Sequence, residues 1–157
     1  MSAASSWNAL FRIVLTGLHC LLKAHWFLSR PRTFGAHAVA LTPNGRIILV
    51  KLRYAKGWRL PGGGRSESES PESAVLRELR EEIGLISFSE VRRVCDLDET
   101  SDFKRDLASL LVVRDVTYRP RKWSWEVEDV LETRLDELPS DFSPRAAGWL
   151  KAALPTI

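Results

Sequence analysis

The stretch from Gly63 to Leu85, which reads GGRSESESPESAVLRELREEIGL, constrains the fold of this chain more than any other segment. It joins a glycine-rich turn to a segment that carries helix signals at both ends. Ser70 is a favourable N-cap and Pro71 fits the first helical position, while Gly84 suits a left-handed stop. We therefore predict a helix over about residues 71–83 that opens just after the glycines.

The predicted helix has an apolar face and an acidic face. At 3.6 residues per turn, one face collects the apolar side chains Val75, Leu76, Leu79 and Ile83. Another collects Glu78, Glu81 and Glu82, because spacings of three and four bring side chains together. Arg77 can pair with Glu81, but the pattern predicts no cation among the three carboxylates. A divalent cation would remove their repulsion, and oxygen-only ligands indicate Mg²⁺ or Mn²⁺. The alternative is a solvated acidic surface.

The same stretch fits the pattern G-x5-E-x7-R-E-U-x-E-E-x-G-U, with U apolar, at every fixed position. In this it resembles the Nudix box, and the chain looks like a Nudix hydrolase, a family that uses divalent metal to cleave nucleoside diphosphates linked to another group. The resemblance covers about residues 34–154. It implies an α/β fold, an α/β/α sandwich with a mixed central sheet, and a site at the junction of loop and helix. Ser68 departs from the family, since many members carry Gly there.

The resemblance also implies roles for individual residues. The implied metal ligands are the Gly63 carbonyl and the carboxylates of Glu78, Glu81 and Glu82. Arg77 and Glu69 match positions that orient those carboxylates rather than contact the substrate. The general base stays open between Glu78 and a downstream residue such as Glu126.

The substrate is the least defined part of the prediction. The implied reaction is hydrolysis of a pyrophosphate bond in a nucleotide-derived small molecule by activated water. Aromatic and basic residues outside the box are candidate contacts, because aromatics stack on bases and Arg binds phosphate: Arg53, Trp58, Arg59, Arg121 and Trp123. The alternative for the tryptophans is packing in the core or a lid. The alternatives for the whole chain are a non-catalytic nucleotide sensor and a membrane-surface or partner-binding protein.

Composition restricts the class of protein. The chain has 157 residues, enough for one domain with a proper core. Its net charge of +3 is too mild to predict a stable nucleic-acid complex. Cys20 and Cys95 form no CxxC motif, so we expect a reduced, cytoplasmic location.

Residues 1–32 are predicted to form an amphipathic helix and a linker ahead of a Nudix domain over residues 33–157. Residues 7–28 are largely apolar, with a polar stripe of Asn8, Arg12, Thr16, His19 and Lys23. The charges argue against a transmembrane segment. We expect the helix to pack on the domain or on a second copy as a homodimer. The alternative is a helix on a membrane surface.

Outside the box, the pattern predicts strands on both sides of the central helix. Pro43-Asn44-Gly45 separates two apolar runs, over residues 36–42 and 46–52, which favours a hairpin. Further strands are expected over residues 91–97, 107–118 and 126–133. A terminal helix over about residues 144–154 should bury Ala146, Trp149, Leu150 and Ala153. Such an order of elements favours α/β layers.

Overall fold

A computed structural model describes residues 32–101, 104–120 and 124–157. Its strands are β1 Arg32–Ala40, β2 Ile47–Leu52, β3 Trp58–Arg59, β4 Gly62–Arg65, β5 Leu85–Ser87, β6 Glu90–Ser101, β7 Lys104–Arg114, β8 Thr117–Tyr118 and β9 Val127–Thr133. Its helices are α1 Pro71–Glu82 and α2 Pro144–Ala153, followed by the 3₁₀ turn Leu154–Thr156. The predicted N-terminal helix, with its proposed dimer contact, lies outside the described residues.

The described strands form one mixed sheet, one antiparallel sheet and one short pair. The mixed sheet has the order β4-β1-β7-β6, in which β1 runs parallel to β7 and antiparallel to β4. The antiparallel sheet has the order β3-β2-β9, and β5 pairs with β8. Within the described residues, no helix is both long and apolar enough to cross a membrane.

Two apolar clusters show how the layers stack. Side chains of β1 and β2 alternate between them, as the period of two in a strand requires. Ala36, Ala38, Ile48 and Val50 face the cluster that α1 covers, whereas Val39, Ile47 and Leu49 face the cluster that α2 covers. The strands therefore lie between two helices, which confirms the predicted α/β/α sandwich.

Helix α1 forms where the local signals place it. The Ser70 hydroxyl accepts a hydrogen bond from the Ser73 N–H at 3.1 Å, and Pro71 occupies the first turn. After Glu82 the chain turns at Gly84, whose φ is 72°. Helix α2 buries the predicted residues, namely Ala146, Trp149, Leu150 and Ala153.

The predicted hairpin between β1 and β2 is wrong in its pairing. The turn itself forms, since the Thr42 N–H donates to the Arg46 carbonyl at 2.9 Å. Beyond it, the two strands share only the bridge between Leu41 and Ile47 in the described residues. Strand β1 pairs instead with β4 and β7, and β2 with β3 and β9. Both strands are buried on both faces, as is typical of strands inside a layered α/β fold. Their pairing partners come from distant segments and are not set by the turn that joins them.

Two further segments differ from the sequence prediction. The strand expected over residues 107–118 is divided, because Asp115 adopts a φ of 52° and β8 then pairs with β5. The glycine turn contains a strand that the sequence did not predict. Gly62 to Arg65 form β4, antiparallel to β1, with Gly62 opposite His37. Glycine lacks the side chain from which a strand pattern is recognised.

Candidate active site

The glycine strand β4 lies against the acidic face of α1. The buried Glu78 carboxylate packs on Gly63 so closely that a Cβ on Gly63 would lie 2.7 Å from Glu78 Oε1. Only a residue without a side chain leaves room for this contact. The loop and the helix are thus fitted to each other at the position of two predicted metal ligands.

Glu82 is held by the residue of β4 that precedes Gly63. The Gly62 N–H donates to Glu82 Oε2 at 2.8 Å, and the Glu82 side chain is buried. Gly62 has a φ of 135°, and a Cβ there would lie 2.3 Å from the Ala36 carbonyl oxygen. Burial raises the pKa of Glu82 to about 8; the bond from Gly62 opposes this shift, whereas Glu78 and Glu126 add to it. Glu82 is therefore a buried carboxylate whose charge calls for a nearby cation.

Arg77 connects the loop to the helix. Its Nε donates to Glu69 Oε1 at 3.0 Å, its Nη2 to the Gly64 carbonyl at 2.9 Å, and its Nη1 to Glu78 Oε1 at 2.6 Å. These bonds hold the pKa of Glu69 below its usual value. The expectation that no cation lies among the three glutamates is wrong, because Arg77 turns towards Glu78 as well as Glu81. Its guanidinium reaches Glu78 as the next residue and Glu81 one turn further along the helix.

The three helix glutamates differ in their surroundings. Glu78 and Glu82 are buried, whereas the Glu81 side chain is 58% exposed and lies 3.7 Å from Arg77 Nη1. Burial raises the pKa of Glu78, and the ion pair with Arg77 opposes that shift. Within residues 32–101, 104–120 and 124–157, no three acidic, histidine or cysteine side chains converge as a metal site. The donors have the right chemistry for a hard cation, but their side chains point to protein partners in this conformation.

Glu126 lies close enough to Glu78 and Glu82 for its charge to act on both. Leu52 at the end of β2 pairs with Val127 at the start of β9. The Tyr54 hydroxyl donates to Glu126 Oε1 at 2.5 Å, and the Arg53 N–H donates to the Glu126 carbonyl at 2.9 Å. Glu126 raises the pKa of both Glu78 and Glu82, so its charge belongs to the same cluster. The bond from Tyr54 could not be predicted without the register of β2 and β9.

A cleft of about 670 Å³ opens beside this cluster, within the range of roughly 300–1,000 Å³ typical of small-molecule sites. Arg59 lines it together with Gly62, Gly63 and Gly64. The sequence analysis missed an ion pair in this cleft, in which Arg145 Nη2 lies 2.7 Å from Asp106 Oδ2. These residues come from α2 and β7, and no sequence spacing relates them.

Of the other predicted contacts, Trp58 and Arg53 do not line the cleft. Trp58 packs against the cluster under α2, and Lys51 Nζ lies 5.7 Å from its ring centre, which favours the packing alternative for Trp58. Arg53 Nε donates to the Ser124 carbonyl at 3.1 Å and so holds the segment that leads to Glu126. Arg121 and Trp123 lie outside the described residues.

The contact between Gly63 and Glu78 yields a test of the site. We expect Gly63→Ala to lower turnover at least about tenfold, because the new methyl group displaces a carboxylate by a distance that orientation-dependent catalysis does not tolerate. The Glu78 side chain can move away, so the melting temperature should fall by only a few degrees. Circular dichroism melts and steady-state kinetics measure the two effects.

Gly148→Ala is the matched control, because a Cβ at Gly148 meets nothing within 4 Å. It should leave turnover unchanged and raise the melting temperature by about a few degrees, since Ala is favoured over Gly inside a helix. Normal turnover in Gly63→Ala would show that the position of Glu78 in this structure does not matter for the reaction.

Comparison with known families decides the assignment. A family model described as the NUDIX domain matches residues 31–153. The chain belongs to the Nudix family. The RNA pyrophosphohydrolase of Hydrogenovibrio crunogenus is 40% identical over 47 residues, which cover 30% of this Nudix chain and 28% of that protein. The chain thus aligns with less than a third of this curated relative.

Solved structures show the same Nudix fold. The MutT NUDIX hydrolase from Burkholderia pseudomallei superposes with a TM-score of 0.66 at 27% identity, over 78% of this chain and 97% of that one. The NUDIX domain of Shewanella oneidensis NrtR, solved as a complex with ADP ribose, gives a TM-score of 0.66 at 19% identity, over 80% and 88% of the two chains. The second likeness is one of fold alone.

Proposed function

We propose that this Nudix chain is a metal-dependent pyrophosphohydrolase that cleaves a nucleoside diphosphate derivative by attack of water. The observation that carries the proposal is the fixing of two buried carboxylates, Glu78 and Glu82, on the glycine strand at the wall of a cleft. Burying acidic groups is costly unless a cation compensates them. Structural packing alone would not favour such residues at this position.

Mg²⁺ or Mn²⁺ fits the donors at this junction. The groups that would hold it are the Gly63 carbonyl and the carboxylates of Glu78, Glu81 and Glu82, all of them oxygen donors. When bound, such a cation supplies charge neutralisation of the pyrophosphate and a lower pKa for the attacking water. Arg77 Nη1 lies against one oxygen each of Glu78 and Glu81, so each carboxylate has a second oxygen for a cation.

The chain's own residues orient the reaction. Arg77 bonds to Glu69 and also to Glu78, and it thereby orients the Glu78 carboxylate. Two carboxylates are candidates for the general base. Glu78 is buried and paired with Arg77, whereas Glu126 is exposed to solvent and oriented by the Tyr54 hydroxyl. Exposure gives Glu126 access to water, and Glu78→Gln compared with Glu126→Gln would distinguish the two.

A substrate screen tests the proposed function. The purified protein is incubated with nucleoside diphosphate sugars, dinucleoside polyphosphates, ADP ribose, nucleoside triphosphates and a short 5′-triphosphorylated RNA, in Mg²⁺ and in Mn²⁺. Phosphate-containing products are scored by mass spectrometry. We expect at least one compound to be cleaved at a phosphorus–oxygen–phosphorus link. A folded protein that cleaves none of them would favour the non-catalytic sensor.

The N-terminal segment gives a separate prediction. The family match begins at residue 31 and the described domain at residue 32. We propose that residues 33–157 form the catalytic domain and that residues 1–32 serve association, either with a second copy or with the domain surface. Deletion of residues 1–30 should therefore leave turnover within about threefold of the full chain, a change of less than about 0.7 kcal/mol in activation free energy.

Kinetics of the shortened and full chains, with light scattering for their mass, check this prediction. A shortened chain that folds but loses turnover would place a functional residue in the segment. Salt-sensitive flotation of the full chain with anionic liposomes, lost on deletion, would instead support the membrane-surface alternative.

A further inference from the structure

Four arginines line the cleft, and most of them are already engaged by protein groups. Arg77 bonds to Glu69 and Glu78. Arg145 pairs with Asp106, which also accepts a bond from the Thr33 hydroxyl. Arg65 Nη1 donates to the backbone carbonyls of residues 66 and 69, and its guanidinium lies 5.1 Å from the ring centre of Phe34. The guanidinium groups of these three arginines therefore already have partners within the protein.

Arg59 is the least engaged of the four in the described part of the chain. Its Nε, like that of Arg65, is buried and has no hydrogen-bond partner, but Arg65 is held by its Nη1 bonds. Its Nη2 makes one long bond, at 3.5 Å, to the Lys56 carbonyl, and no described carboxylate forms an ion pair with it. A guanidinium has five donors in a planar fork. Burying the Nε of that fork without a partner costs free energy, which a bound anionic ligand would recover.

The surroundings of Arg59 indicate where such a ligand lies. Burial lowers the pKa of Arg59, and the neighbouring charge of Arg145 lowers it further, while Tyr54 and Glu82 oppose the shift. Arg59 therefore lies close enough to both Glu82 and Arg145 to feel their charges, and it lines the same cleft as Arg145. An anion bound there would be next to Glu82, where the proposed reaction takes place.

We propose that Arg59 binds the diphosphate group of the substrate through its guanidinium fork. The inference rests on the proposed function and deepens it by assigning one phosphate-binding residue. Diphosphate oxygens match the fork, since Arg forms two parallel, charge-assisted hydrogen bonds with phosphate. A lysine ammonium would supply the same charge at a single point and could not form the second of the two parallel hydrogen bonds. Arg59 should thus set affinity for the diphosphate part of any substrate, whatever its organic group.

Binding of a non-hydrolysable probe tests this assignment. Methylenediphosphonate, a stable analogue of pyrophosphate, is titrated by calorimetry into the wild-type protein and its variants in Mg²⁺ buffer. Arg59→Gln should bind at least about tenfold more weakly, and Arg59→Lys should show an intermediate loss. Arg46→Gln is the matched control, since Arg46 lies exposed in the turn before β2, and its affinity should stay within twofold of wild type.

Several outcomes would overturn the assignment. One is wild-type affinity in Arg59→Gln, and another is a wild-type protein that does not bind the probe. Circular dichroism melts confirm that the variants fold; if Arg59→Gln does not, the loss in Arg59→Lys decides the question.

Failure of the proposed function would be recognised by a different result from failure of the Arg59 assignment. Probe binding that depends on Arg59, in a protein that cleaves no compound in the screen, supports the binding site and contradicts the hydrolase. A hydrolase whose KM is unchanged in Arg59→Gln contradicts the site alone.

Discussion

Replacing Glu82 by glutamine is expected to lower turnover at least about a hundredfold, the size of effect seen when one preorganised electrostatic group is removed. The Glu82 carboxylate is buried and receives the Gly62 N–H at 2.8 Å. Glutamine has the same shape and keeps an oxygen that can accept this bond. The variant therefore loses the negative charge and little of the packing, so the fold should persist.

Steady-state kinetics and a thermal melt of Glu82→Gln measure the two parts of this expectation. Glu67→Gln is the matched control, because Glu67 is an exposed acid in the loop between β4 and α1. It should retain wild-type turnover. Near-normal turnover in Glu82→Gln would mean that the negative charge at this buried position does not serve the reaction, and that the cation is held elsewhere.

Local signals predicted helix α1 well because each acts over a few residues. Ser70 accepts the bond from the Ser73 N–H, and Gly84 ends the turn after the helix. The apolar spacing correctly identified Val75, Leu79 and Ile83 as buried and all four buried residues of α2, whereas Leu76 is only partly buried. For the same reason, Glu78 and Glu82 could be placed together on one helix before their partners on β4 were known.

Contacts between distant segments account for most of what the sequence did not predict. Strand β1 pairs in parallel with β7, and such pairing depends on the whole sheet rather than on the turn after β1. The bond between Tyr54 and Glu126 likewise depends on the pairing of β2 with β9. Neither strand register nor sheet order is encoded in a window of a few residues.

The case of Arg77 shows a similar limit within the helix. Its spacing from Glu81 predicts an ion pair, and that pair is long, at 3.7 Å. The shorter bonds go to Glu78 and to Glu69, which lies in the loop before the helix. The fold of that loop decides the rotamer of Arg77, so helical spacing alone gave an incomplete account of its partners.

Removal of divalent metal is expected to abolish turnover, the largest effect that we predict. Glu78, Glu82 and Glu126 lie close enough for their charges to act on one another, and a diphosphate adds further negative oxygens. Of the nearby cations, Arg77 is engaged by Glu69 and Glu78, which leaves Arg59 to balance this charge. One guanidinium cannot neutralise several close carboxylates and a diphosphate, so an external cation is required.

The measurement is turnover after dialysis against excess EDTA, with residual metal determined by mass spectrometry. Activity should fall to background and return when Mg²⁺ or Mn²⁺ is added in excess of the chelator, since both prefer oxygen donors. EDTA saturated with Mg²⁺ beforehand is the control for direct effects of the chelator and should leave turnover unchanged. Full turnover in protein shown to be free of metal would contradict the proposed mechanism, because the carboxylate cluster would then have to act on the diphosphate without charge compensation.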